Sequence, residues 1–140
     1  MPNPNELHLI SFHGDRMNLT SENLRCLYTF LHGVEPFNKW SSMPKVADCV
    51  FAISFPDKLD TGLGCYVYCN DKHHLYVNAN RHTHLETVVR TLSHLIVHSL
   101  RGDTKKSQLH DKFFVTRCAA VGASLGYDPH QLASDLLLEL

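Results

Sequence analysis

One segment of this chain, residues 83–102, has the features of a single helix with marked ends. Thr83 followed three residues later by Glu86 is a capping-box pattern, and Gly102 is a residue that commonly ends helices. Apolar residues recur through the segment at helical spacing, at Leu85, Val88, Val89, Leu92, Ile96 and Leu100. We therefore predict a helix that buries one apolar stripe.

Two histidines, His94 and His98, lie one turn apart on this predicted helix. At about 100° per residue they fall largely opposite the apolar stripe, so we expect them to face away from the main core. An HxxxH spacing is typical of zinc ligands, although 11 histidines in 140 residues give about one such pair by chance. The capped helix, and a further histidine, His110, at the opening of the next predicted helix, favour a metal site. The histidines near strands and helix starts are expected at the surface or in caps: His73, His74, His82 and His84.

The remaining segments predict an α+β fold with three strands before the His94/His98 helix. Val-, Ile- and aromatic-rich runs predict the strands, and Asn70-Asp71-Lys72 is a hairpin signal between the second and third. The predicted elements are, in order, a helix from Thr20 or Ser21 to about His32, strands over Lys45–Phe55, Leu63–Cys69 and His73–Asn78, the helix over 83–102, a helix from about Ser107 to Leu125 that Gly126 ends, and a last helix begun by Asp128 and Pro129. The strands are expected to form an antiparallel or mixed sheet.

Length and composition limit the class of protein. A chain of 140 residues with 44% hydrophobic and 19% charged residues predicts a single domain over residues 1–140. A net charge of −1 gives no global basic field, so any contact with DNA would have to be local. No apolar run reaches about 18 residues and no secretory signal opens the sequence, so we expect no membrane association and a cytoplasmic or otherwise intracellular location. The sequence leaves the oligomeric state open.

The five cysteines are odd in number and scattered, which favours reduced thiols over a disulfide framework. We expect all of them to be buried or half-buried as small apolar groups. They are Cys26, Cys49, Cys65, Cys69 and Cys118.

Three stretches of the sequence carry a further pattern. LYVNAN at 75–80 comes shortly before TLSHLIVHSL at 91–100, and HDKFF at 110–114 has an aromatic residue four positions after its histidine. Together they resemble the SprT-like family of zinc metallopeptidases, small zincins with a strand ending in Asn, HExxH on the next helix and a third histidine on the helix after that. The resemblance implies a small zincin-like fold in which His94, His98 and His110 bind Zn²⁺.

The sequence departs from that family directly after the first ligand. There the family has its catalytic Glu, which accepts a proton from the zinc-bound water and passes it to the leaving amine, whereas this chain has Leu95. None of the chain's five glutamates takes its place in the motif: Glu6, Glu22, Glu35, Glu86 and Glu139. We therefore assign no catalytic residue and judge peptidase activity separately from zinc binding.

The motif and its missing Glu support three functional hypotheses. In the first, the chain is a zinc-binding pseudo-metallopeptidase whose former substrate groove binds a protein partner. The apolar side chain of Leu95 beside the metal would favour such binding. In the second, it is an atypical zinc-dependent protease or hydrolase that uses zinc hydroxide alone or a base from elsewhere. In the third, the histidines are vestigial, hydrogen-bonded polar residues in a closed groove.

DNA is a further candidate partner. The resemblance suggests it, because the family includes enzymes that act on DNA-associated proteins. A local basic cluster is present at Arg101, Lys105, Lys106, Lys112 and Arg117, and its alternative interpretation is a solvated loop and helix face.

We predict about one Zn²⁺ per chain, because three neutral imidazoles suffice to hold the ion with its fourth position open. Imidazole ligands must be deprotonated, so the affinity should fall as the pH drops below about 6.5. Elemental analysis of chelator-free protein across this pH range measures both effects. Protein without stoichiometric metal, whose melting temperature zinc leaves unchanged, would rule the site out.

Overall fold

A three-stranded sheet with helices against one face is the framework of the chain. The computed structural model describes residues 19–53, 63–78, 84–101 and 111–134. In order along these residues lie α1 Ser21–His32, β1 Cys49–Ala52, β2 Gly64–Cys69, β3 Lys72–Val77, α2 Leu85–Ser99, α3 Lys112–Leu125 and α4 Pro129–Ser134, with short 3-10 helices at Phe37–Lys39 and Val46–Asp48. The predicted α+β class is confirmed.

The sheet is mixed, with strand order β1-β3-β2. β3 lies in the centre, antiparallel to β2 and parallel to β1. The turn between β2 and β3 contains Asn70 and Asp71, which both have left-handed φ, at 54° and 62°. Asn and Asp tolerate this conformation, and such turns match the twist of a hairpin. The predicted hairpin is therefore confirmed, and of the two predicted sheet types the mixed one is observed.

α1 and α2 pack on the same face of the sheet. The register aligns Phe51 of β1 with Leu75 of β3, and Leu75 with Tyr66 of β2, so these three side chains share one face. Tyr28 of α1 contacts Phe51, and Tyr66 contacts His98 of α2. α2 also contacts α3 and α4, which places it between the sheet and the last two helices.

Three helix ends are fixed by residues that the sequence indicated. Thr20 precedes α1, and its side-chain oxygen accepts a hydrogen bond from the amide of Asn23 at 3.1 Å. α3 ends at Gly126, whose φ of 85° is left-handed. At the start of α4, the carboxylate of Asp128 accepts a hydrogen bond from the amide of His130 at 2.8 Å.

The start of α3 differs from the prediction. This helix begins at Lys112 rather than near Ser107. Asp111 is extended, and its carboxylate accepts a hydrogen bond from the amide of Phe114 at 3.1 Å, so it caps the helix and sets its first residue. Residues 102–110 lie outside the described part of the chain.

Two other boundaries also differ. Val46–Asp48 forms a 3-10 helix, which leaves only four residues for the first strand within the described range. α2 begins at Leu85 after His84, and both predicted end residues of this helix, Thr83 and Gly102, lie outside the described residues.

All five cysteines are free thiols, as predicted. Cys49, Cys65 and Cys118 are buried and Cys26 is half-buried. Cys69 is exposed because it is the last residue of β2, directly before the hairpin turn, so the expectation that every cysteine is at least half-buried is wrong there.

α2 is 15 residues long, whereas a helix needs about 20 apolar residues to cross a bilayer. Within the described ranges, none of the helices has the length and apolar character that a membrane crossing requires.

We predict that Gly126→Ala lowers the free energy of unfolding by about 1 kcal/mol, whereas Gly33→Ala leaves it unchanged or raises it by up to about 1 kcal/mol. Both glycines follow a helix and neither would bring a β-carbon into a tight contact. Only Gly126 has a left-handed φ, 85° against −97° at Gly33. Chemical denaturation measures the difference, and equal losses would show that backbone conformation does not control the α3–α4 junction.

Candidate metal centre

The second half of α2 is buried on every side. All residues from Thr91 to Leu100 are buried, and His94 and His98 have relative exposures of 0% and 6%. The prediction that the two histidines face away from the core is therefore wrong. Helical periodicity reveals only the most apolar stripe of a helix, and here α3 and α4 cover further sides of α2.

A hydrogen bond fixes the orientation of His94. Its Nδ1 lies 2.8 Å from the main-chain carbonyl oxygen of Leu132 in α4, and the contact is buried. A carbonyl oxygen only accepts, so Nδ1 donates the proton in this contact, and Nε2 is the ring nitrogen that could bind a metal ion. Metal-binding histidines commonly have this arrangement, in which the other ring nitrogen donates to a carbonyl group. His94 is thus oriented as a metal ligand would be.

His98 lies next to His94 at a spacing that suits a shared ion. The two ring centroids are 4.8 Å apart, and the ring planes are inclined by 76°. Two imidazoles that bind one tetrahedral Zn²⁺ at about 2.1 Å have centroids about 5 Å apart. The observed pair therefore fits two of the nitrogen ligands of a zinc site.

Aromatic rings enclose the histidine pair. Phe114 of α3 stacks on His98, with centroids 4.4 Å apart, and meets His94 edge-on at 4.9 Å. Tyr66 of β2 lies nearly parallel to His98 at 6.4 Å. Such a shell restricts the orientations of the imidazoles and the access of water to them.

Tyr66 has a second contact that sequence reasoning did not single out. Its hydroxyl lies 2.7 Å from Nδ1 of His73, and burial lowers the pKa of His73. His73 is therefore half-buried beside the candidate centre rather than at the surface as predicted. The available signal was the alternation along β2, which places Tyr66 on the same inward face as Gly64.

The other histidines that were predicted to lie at the surface or in helix caps differ in their exposure. His84 is exposed and precedes α2 as its N-cap residue, as predicted. His74 is half-buried and lies beside Tyr76, with ring centroids 6.1 Å apart. His82 lies outside the described residues.

Leu95 is enclosed by the core rather than displayed beside the histidines. It is fully buried, and a β-carbon placed on Gly64 of β2 would lie 3.2 Å from Cδ1 of Leu95 and 2.9 Å from Cγ2 of Thr91. α2 and β2 therefore approach each other so closely that a glycine suits this position of the strand. The expectation that Leu95 gives a groove an apolar surface is wrong, because its side chain packs in the interior.

The third expected ligand, His110, lies outside the described residues. Among the ranges that are described, no three His, Cys, Asp or Glu side chains are grouped to hold a metal ion. The next residue, Asp111, accepts hydrogen bonds from Arg101 at 2.8 and 3.0 Å. The amide of Phe114 and the Arg101 guanidinium hold the pKa of Asp111 below its ordinary value. The stability that these contacts give the folded protein is therefore present at neutral pH, and it is lost as the pH falls and the carboxyl becomes protonated. This ion pair joins the end of α2 to the start of α3.

Comparison of the chain with protein-family models, with curated proteins and with solved structures found no match. The resemblance to SprT-like zinc metallopeptidases therefore rests on the motif residues themselves. The α+β fold is observed, and its relation to the zincins is a proposal.

We predict that Leu95→Glu lowers the free energy of unfolding by about 4 kcal/mol or more, and by more than Leu95→Gln. Glu would bury a carboxylate in an apolar contact with Gly64, whereas Gln has a similar shape without the charge. Leu95→Met keeps the apolar volume and should cost less than about 1.5 kcal/mol. Chemical denaturation of the three variants at neutral pH measures this order, and a Glu variant as stable as the native protein would place position 95 in contact with water.

Proposed function

We propose that this chain is a zinc-binding SprT-like domain, a catalytically impaired pseudo-metallopeptidase that acts as a protein-binding module. Its zinc ligands are His94, His98 and His110. The observation that supports the proposal best is the hydrogen bond from Nδ1 of His94 to the carbonyl oxygen of Leu132. The His94 ring is buried, and its centroid lies 4.8 Å from that of His98. Bound Zn²⁺ would act as a Lewis acid and bring the pKa of a bound water down to about 7.

The surrounding residues have distinct contributions in this proposal. Leu132 holds the proton of His94 on Nδ1, so Nε2 is the ring nitrogen that would bind the ion. Phe114 fixes the ring of His98 by stacking and limits the entry of water. His94 and His98 on α2 and His110 ahead of α3 would hold the ion together, and a shared ion would stabilise the contact between the two helices.

The described glutamates do not replace the missing proton carrier. Glu86 is exposed in the first turn of α2, eight residues or about 12 Å along the helix from His94. Glu22 and Glu35 form exposed ion pairs in or near α1. Two further glutamates, Glu6 and Glu139, lie outside the described residues. A zincin without this carrier forgoes a contribution of about 10²–10⁴-fold to its rate, which supports the proposed impairment.

An atypical zinc-dependent hydrolase is the second candidate, and the contacts of Tyr66 favour it. The tyrosine ring lies against His98 while its hydroxyl is hydrogen-bonded to His73. A hydroxyl and an imidazole in contact can hold and move a proton, which is the function that position 95 lacks. The family resemblance adds DNA-associated proteins as a substrate class for this candidate.

We predict that zinc raises the melting temperature of the native protein and that His110→Ala removes this increment. Metal bound only by the folded state contributes RT ln(1 + [L]/Kd), about 2.7 kcal/mol at a hundredfold excess over Kd. His98→Ala should also remove it, but it leaves a cavity between Phe114 and Tyr66 and so lowers stability in chelator as well. Thermal melts in zinc and in chelator measure the increment for each variant.

The matched control is His84→Ala, because His84 is an exposed histidine at the N-cap of the same helix and its replacement should leave the increment intact. An increment that survives His110→Ala would contradict the three-histidine site. A native protein without any increment would favour vestigial histidines.

Peptidase assays with zinc-loaded protein and casein separate the remaining two candidates. The pseudo-metallopeptidase should show no zinc-dependent cleavage. Zinc-dependent cleavage that Tyr66→Phe abolishes, while the zinc increment in melting temperature persists, would establish the atypical hydrolase instead.

A further inference from the structure

Two arginines and two aromatic rings alternate beside the start of α3. The guanidinium carbon of Arg117 lies 5.2 Å from the ring centroid of Trp40 and 4.9 Å from that of Phe113. The guanidinium carbon of Arg101 lies 4.3 Å from the centroid of Phe113. We call this set, Trp40-Arg117-Phe113-Arg101, the arginine ladder.

Contacts at both ends hold the arginine ladder in place. Trp40 meets the fully buried Phe37 edge-on, with ring centroids 5.5 Å apart. At the other end, Arg101 is bound to both carboxylate oxygens of Asp111. The side chain of Arg117 therefore stands between two rings that have their own supports, so its orientation is set before any partner arrives.

Arg117 differs from two neighbouring cations that form ion pairs. Lys39, next to Trp40 in sequence, forms an ion pair with Glu35 at 2.9 Å, and Arg101 forms one with Asp111. Among the described residues, the contacts of the Arg117 guanidinium are the two rings alone. Two aromatic rings lie beside the guanidinium carbon, and the N–H groups at the edge of the guanidinium are the donors with which it can bind a ligand.

The chemistry of that edge favours a carboxylate on a protein. A planar guanidinium binds a carboxylate through two parallel hydrogen bonds, and the aromatic rings beside it suit the apolar part of a partner's surface. Trp and Arg are also the residues that most often dominate the binding energy of protein interfaces.

A nucleic acid fits this surface less well. Nucleic acids are bound through many neutralised phosphates, whereas this chain has a net charge of −1, and two cations of the ladder's neighbourhood are matched by carboxylates. Among the described members of the basic cluster, Arg117 and Lys112 remain without a carboxylate partner, and two such cations suit an acidic segment of a protein better than a long row of phosphates.

We propose that the arginine ladder is the docking surface for an acidic segment of a protein partner, which places a Glu or Asp carboxylate on the N–H edge of Arg117 and an apolar side chain against Trp40. This inference rests on the proposal that the chain is a protein-binding module, but it does not depend on the zinc site.

The test uses a short fluorescein-labelled peptide that alternates Glu with Leu, and the same peptide with Gln in place of Glu. The native protein should bind the first and not the second in fluorescence anisotropy. Arg117→Gln should weaken binding by at least about tenfold, and Arg117→Lys by a similar factor because it keeps the charge but loses the planar fork. Arg25→Gln is the matched control: it removes the same charge from an exposed arginine on α1 and should leave binding unchanged.

Four outcomes would overturn the proposal: equal weakening by Arg25→Gln and Arg117→Gln, full binding by Arg117→Lys, binding of single-stranded oligo-dT but not of the peptide, or no binding at all. Each variant is also melted in zinc and in chelator. If peptide binding is lost while zinc still raises the melting temperature, only the proposal on the arginine ladder fails. If zinc no longer raises the melting temperature while the peptide still binds, only the proposal on the metal centre fails.

Discussion

The hydrogen bond between His94 and the carbonyl of Leu132 is the contact on which the arrangement of the last three helices depends. His94 is fully buried, and leaving a buried polar group unpaired costs about 1–3 kcal/mol. Its partner comes from α4, a short helix that reaches α2 only because α3 ends at Gly126 and α4 begins after Asp128. The two C-terminal helices therefore complete the polar pairing of the core as well as its apolar packing.

The first turn of α3 connects the two proposed sites. Phe114 faces the histidine pair, whereas the preceding residue, Phe113, stands between the two arginines of the ladder. Arg101 follows His98 by three residues and bonds the cap residue of α3, Asp111. A change in the spacing of α2 and α3 would thus affect both surfaces, which gives the proposed zinc ion a structural function even without catalysis.

Local chemistry made much of the fold predictable, and long-range packing made the rest unpredictable. The cap at Thr20, the hairpin at Asn70 and the stop at Gly126 follow from the conformational preferences of those residues themselves. The spacing of the HxxxH pair likewise predicted that the two histidines lie one turn apart on one helix. The burial of the histidine pair and of Leu95 depends on which other elements cover α2. The contact between Tyr66 and His98 depends on the register of the strands. The apolar pattern of a single helix contains neither kind of information.

The most direct measurement is ¹⁵N-detected NMR of the imidazole nitrogens of His94 and His98, recorded in chelator and after addition of one equivalent of zinc. The proposed centre predicts that His94 carries its proton on Nδ1 in both states, and that the Nε2 resonance of His94 and a ring-nitrogen resonance of His98 move to metal-bound positions at one zinc per chain. A proton on Nε2 of His94, or resonances that zinc leaves unchanged, would contradict it.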